Sequence, residues 1–134
     1  LAVSYWNKQS IPVELRIADT SVQSIDFDTL NWDQASARAD SLNSAPGTVY
    51  LVRDPMAWVM SGFARPRQYA VVAYDARMAG VLAHELGHVL GAQDQYSWNG
   101  NSRVCQAPAD IMCLASLVTT PSQQTLNEIN GAGW

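Results

Sequence analysis

Both histidines of this 134-residue chain fall inside one short segment, His84-Glu85-Leu86-Gly87-His88-Val89-Leu90-Gly91-Ala92-Gln93-Asp94. On a helix, His84 and His88 are four residues apart, so their rings leave the same face. Two neutral imidazoles on one face can fill two positions of a tetrahedral Zn²⁺ site. Glu85 directly follows the first histidine. It can reach a water at the metal but is badly placed to bind the metal itself, as suits a general base. Bound zinc would acidify that water and polarise a carbonyl. The plainer explanation, a solvated helix face carrying two histidines, has against it that the rest of the chain has no histidine at all.

The elements around the segment read as a positioning frame. Asp75 is placed to cap a helix running to about Leu90. Met78, Leu82, Leu86 and Val89 form one stripe, and Val81, His84, His88 and Gly91 form another. Gly91 sits where a left-handed residue ends a helix. A glycine three residues after His88 allows a sharp turn, which brings Asp94 back under the metal as a third ligand. Upstream, Gln68–Tyr74 reads as a strand buried on both faces, and Thr48–Val52 as another. Pro12–Ala18 alternates apolar and polar residues like a half-buried strand. Asp28–Leu42 has helical spacing at Trp32, Ala35, Ala39 and Leu42, with Asp28 as its cap. Asn43–Gly47 is a turn cluster, and Ser97–Ala109 is polar and loop-like. Thr120 and Pro121 open a last helix, with Leu126 and Ile129 inward and Gly131 at its end.

The eleven residues from His84 to Asp94 resemble the metzincin pattern H-E-x-x-H-x-x-G-x-x-H with aspartate in the last place. That departure is similar to the snapalysin family, small secreted zinc endopeptidases. Asp94-Gln95-Tyr96 also matches that family's D-x-Y, which makes Tyr96 a transition-state stabiliser; a packed aromatic is the alternative. The resemblance implies an α+β zincin fold: a small twisted mixed sheet packed on an active-site helix, a methionine turn and a C-terminal helix. It would divide one domain into residues 1–94, with the sheet and active-site helix, and a lower part, 95–134. Met112 in Asp110-Ile111-Met112 takes the place of the turn methionine, with an ordinary core methionine as the alternative. Leu1–Ala18 reads like the last turns of the family's first helix running into a strand; otherwise Ala2–Trp6 is itself a strand. On the first reading, the helix at 28–42 is an insertion. The resemblance implies a polypeptide substrate laid along a sheet edge, one catalytic zinc held by His84, His88 and Asp94, Glu85 as base, and a secreted monomer.

Composition narrows the alternatives. A net charge of −4 without a basic cluster makes nucleic acid a poor partner. No run of 18 apolar residues is present to span a membrane. Cys105 and Cys113 are either two buried thiols or a short disulfide, which would stabilise by about 2.5 kcal/mol on the chain-entropy model and point to an oxidising compartment. Snapalysins carry a disulfide in this region too. Five scattered tryptophans read as core or rim packing, and the apolar run Pro55–Phe63 as cleft lining or core. Glu128 and Asp110 are alternative metal ligands. A zincin-like binding module and a zinc hydrolase of non-peptide bonds are the competing functions; an intact Glu85 argues against the first, since only catalysis needs that carboxylate.

Overall fold

The structure is a computed structural model and describes residues 1–22, 24–42, 44–53, 61–75, 78–106 and 109–134. The first helix, α1 (Ala2–Asn7), buries Tyr5 and Trp6. Ala2–Trp6 is thus helical, as in the first of the two readings, and not a strand. Residues 12–18 form no strand. The Asn7 side chain bonds both backbone groups of Leu15, donating to its carbonyl at 2.8 Å and accepting from its N–H at 2.8 Å. A side chain thus satisfies the backbone that a ladder would have used.

The helix expected at 28–42 begins later. Asp26–Thr29 is a single 3₁₀ turn that contains Asp28, and α2 spans Trp32–Ser41. Asn31 is the cap: it accepts from Gln34 N–H, and the Gln34 side chain accepts from Asn31 N–H. This reciprocal box satisfies two end donors where Asp28 would satisfy one.

Among the described residues, one sheet holds β1 (Thr48–Val52), β2 (Gly62–Arg65) and β3 (Tyr69–Ala73) in the order β1-β3-β2. β1 runs parallel to β3 and β2 antiparallel to it. All five residues of β3 are buried, as a central strand with both faces covered requires. Tyr69 and Val71 share a cluster with Phe27, Ala35, Ala39 and Val52, so α2 packs on that face. Ala70 and Val72 lie on the opposite face by strand alternation, toward α3 (Met78–Leu90). Behind α3 lies the larger cluster, with Tyr5, Trp6, Leu86, Leu90, Ile111, Met112 and Ile129. The Trp6 indole donates to Ala83 O at 2.7 Å and fastens α1 to α3. Residues 76–77, which would follow the cap expected at Asp75, lie outside the described residues, as does most of Pro55–Phe63.

The stretch expected to be a loop at 97–109 contains all but the first residue of a hairpin, β4 (Tyr96–Asn99) paired with β5 (Ser102–Cys105). Gly100, with φ +62°, occupies the first turn position, and Asn101 the second. A short helix, α4 (Ile111–Leu114), follows, capped by Asp110. The last helix, α5 (Gln123–Asn130), is capped by Ser122 and begins after Pro121. Ser122, whose side chain accepts from Thr125 N–H, takes the cap expected at Thr120, which lies two residues earlier in an extended bridge opposite Asp110. The fold is thus α+β with a three-stranded mixed sheet and several helices.

Candidate metal centre

α3 carries His84, Glu85 and His88 side by side and ends in the geometry the glycine demands. Ala92 N–H bonds Gly87 O at 2.9 Å, and Gly91 N–H bonds His88 O at 3.0 Å. This double closure is a Schellman motif, with Gly91 at φ +117°. The reversed chain returns Asp94 to the helix face it has just left. Asp94 Oδ1 lies 3.2 Å from His84 Nε2 and 3.1 Å from His88 Nε2.

The far nitrogen of each ring fixes what these contacts are. His84 Nδ1 lies 2.9 Å from Ile111 O, and His88 Nδ1 lies 2.9 Å from Ala92 O. A carbonyl accepts only, so each Nδ1 must carry the hydrogen. In the neutral rings, both Nε2 atoms then present lone pairs to the Asp94 carboxylate. A cation between the three acceptors would satisfy them all, as would a proton on one ring donated to the carboxylate. Ligand atoms about 2.0–2.1 Å from a tetrahedral ion stand about 3.3 Å apart, close to the two separations observed. The donor set of two imidazoles and one carboxylate fits a divalent metal, and ligand-capable atoms of His84, Glu85 and His88 all lie within 4.8 Å of one another.

The charges respond to this crowding. Burial pushes the Glu85 carboxyl above its ordinary range, opposed by the neighbouring imidazoles. Burial works against a charged His88 ring, but the Asp94 carboxylate outweighs it and raises the ring's pKa. Burial would likewise raise Asp94, yet bonds from the two rings hold its carboxyl well below the usual range.

A cleft of about 300 Å³ opens over His84, Glu85, His88 and Asp94 and runs along β2. Gly62 lies against Glu85: a Cβ there would stand 3.3 Å from Glu85 Cγ. Tyr96 lines the same cleft. Burial and the adjacent Asp94 carboxylate raise its phenol's pKa. The Arg103 guanidinium covers the Tyr96 ring at 4.2 Å and donates to Cys113 O at 2.9 Å. Sequence reasoning missed Arg103, because the hairpin that aligns it with Tyr96 was read as a loop; the Asn99-Gly100-Asn101 turn was the signal for it.

Beneath the helix, Met112 is fully buried against Gly87, where a Cβ would meet its Sδ at 2.4 Å. The neighbouring Ile111 supplies the carbonyl that orients His84. Cys105 and Cys113 form a disulfide, with Cα atoms 5.7 Å apart, that ties β5 to α4. Asp110 and Glu128 are committed elsewhere. Asp110 is buried and accepts from Met112 N–H at 2.8 Å, Ser122 N–H at 3.0 Å and Thr125 Oγ1 at 2.9 Å. Glu128 accepts from Gln95 Nε2 at 2.6 Å. Of the tryptophans, Trp6 is core, Trp32 lines the cleft, Trp98 and Trp134 are exposed, and Trp58 lies outside the described residues. Comparison of the chain with protein families, with curated proteins and with solved structures finds no match.

Proposed function

We propose that the chain is a zinc-dependent endopeptidase of the metzincin kind, acting outside the reducing cytosol. The observation that carries this reading is the convergence of two tautomer-fixed imidazoles and the Asp94 carboxylate beside a buried glutamate, at the edge of a sheet. When bound, a zinc ion supplies a Lewis acid that polarises the peptide carbonyl and makes a water more acidic. Glu85 accepts the proton of the attacking water and passes it to the leaving amine. Its raised pKa brings it nearer the operating pH, where proton transfer in both directions is efficient. The Tyr96 hydroxyl, beside Asp94 in the cleft, donates to the oxyanion.

β2 supports a peptide substrate over a small one. Ala73 N–H bonds Ser61 O at 2.8 Å, and Gly62 pairs with Val72. Antiparallel pairs alternate in bonding, so the backbone groups of Gly62 and Ala64 point away from β3. An extended peptide added there would lie across Glu85. The disulfide supports an extracellular setting.

Metal analysis after dialysis, paired with casein digestion, tests the proposal. One zinc per chain, digestion abolished by chelator and restored by zinc, and loss of about 10²–10⁴-fold in Glu85→Gln with zinc retained are expected. A zinc content near zero with casein left intact would sink it.

A further inference from the structure

The cleft does not stop at the metal. Past Gly62 it continues along β2 to Phe63, Ala64 and Pro66, and its far wall is Trp32. Trp32 is the first residue of α2 and stands edge-on to Phe63, with ring centroids 4.7 Å apart at 67°. The capping box of Asn31 and Gln34 fixes this end of the helix, and so fixes the indole. Arg65, the charge nearest this wall on β2, is taken up by Asp40 at 2.6 Å. The far end of the cleft is therefore aromatic and uncharged, while the near end is polar.

We infer that this wall, built by Trp32 and Phe63, is a specificity subsite that takes an aromatic or large aliphatic side chain of the substrate, N-terminal to the scissile bond. The inference rests on the endopeptidase reading for its direction along the cleft. A peptide added to the outer edge of β2 pairs best in the antiparallel sense. β2 runs from Gly62 to Arg65, so the peptide residue opposite Phe63 precedes the one opposite Gly62. Gly62 overlies Glu85, which places the scissile bond at that end. Residues directly opposite one another project to the same face of a sheet. The side chain opposite Phe63 thus lands on the Phe63 and Trp32 rings, on the α2 side, and the side chain opposite Gly62 falls on the α3 side with the metal centre.

The probe is a set of acetylated tetrapeptide hydroxamates on an all-alanine background, with phenylalanine at each of the three positions nearest the hydroxamate in turn. Their Kd values are measured by calorimetry on the zinc-loaded full chain. Phenylalanine at one position should tighten binding by at least about 10-fold. Trp32→Ala should reduce that gain to about twofold, Trp32→Phe should keep part of it, and acetohydroxamate, which reaches only the metal, should bind both variants like the wild type. Equal affinity across the series in the wild-type protein overturns the inference without any variant, and so does a gain that survives in Trp32→Ala. Because binding rather than turnover is read, a protein that selects the aromatic hydroxamate but cleaves no peptide upholds the subsite and refutes the endopeptidase reading. Failure of every member to bind refutes both.

Discussion

Replacing Gly87 by alanine sets two effects of opposite sign against each other. In a helix interior, alanine is favoured over glycine by about 0.8–1 kcal/mol. Against this, the new methyl would stand 2.4 Å from Met112 Sδ, 3.1 Å from its Cε and 3.0 Å from the Trp6 ring. Both side chains are fully buried, so neither can swing into solvent. Overpacking of this kind costs about 1–3 kcal/mol, and the clash wins by about 1 kcal/mol. For a domain of this size that is a fall of about 3–5 °C in Tm. The relief of strain would move Met112, and with it the Ile111 carbonyl that holds His84, so zinc affinity should fall as well. Met112→Ala alone should cost about 2–5 kcal/mol through its cavity. In the double variant the methyl enters the space the thioether vacates, and the combined loss should be smaller than the sum by about 1 kcal/mol or more. Denaturant melts of the four proteins close the cycle, with zinc titrations alongside. A Gly87→Ala protein that is more stable than wild type, or strictly additive losses, would show that Met112 does not pack under α3.

Asp94→Ala should weaken zinc binding as well as activity, because it leaves two imidazoles without the carboxylate between them; normal zinc affinity by titration would remove Asp94 from the ligand set. Asp94→His restores a neutral ligand, raises the formal charge of the loaded site and should move the acid limb of kcat/KM to lower pH, while an unmoved limb would refute that electrostatic argument. Tyr96→Phe should lower kcat far more than it changes KM, since the hydroxyl acts on charge present only in the transition state; an unchanged kcat returns Tyr96 to a packing role. Alkaline stability reports on Tyr5, whose phenol burial raises from 10.0 to about 12. The folded state holds the proton that the unfolded chain gives up, so the contribution is complete below pH 10 and is lost as pH rises toward 12. Tm measured across that range should fall less steeply in Tyr5→Phe, and parallel curves would contradict the assignment.

The centre was legible where function and local rules coincide. His84, Glu85 and His88 lie on one helix whose stripe, length and terminal glycine all agree, and Gly91 closes it as a left-handed residue should. β1 and β3 were legible because their runs are short and apolar. Elements made by partnership were not. β2 has only four residues, including a glycine and an arginine, and becomes a strand through its pairing with β3. β4 and β5 have four residues each and expose most of them, so the alternation of Tyr96 and Trp98 with Ser97 and Asn99 is too short to mark a strand alone. Residues 12–18 alternate properly yet meet no strand, since Asn7 occupies the backbone of Leu15 first. The cap at Asn31 outcompetes Asp28 because Gln34 answers it, a reciprocity visible only when both partners are weighed. The far wall of the cleft was hidden for a related reason: Trp32 and Phe63 are 31 positions apart, and only the packing of α2 on the sheet brings their rings together.

The carbonyls of Ile111 and Ala92 also bear on how tightly an ion is held. A neutral imidazole free in water exchanges its proton between two nitrogens. If each ring chose evenly, only about a quarter of chains would offer both Nε2 lone pairs at once, and apparent affinity would be about fourfold weaker. Here one carbonyl comes from the turn that ends α3 and the other from α4, 27 residues beyond His84. The selection is made as the chain folds, so that an arriving ion would meet a population already narrowed to the binding-competent tautomers. On the proposed reading, preorganisation would link the two processes: loosening α4 from α3 would weaken zinc binding without touching a ligand, and a bound zinc would in turn hold α4 in place.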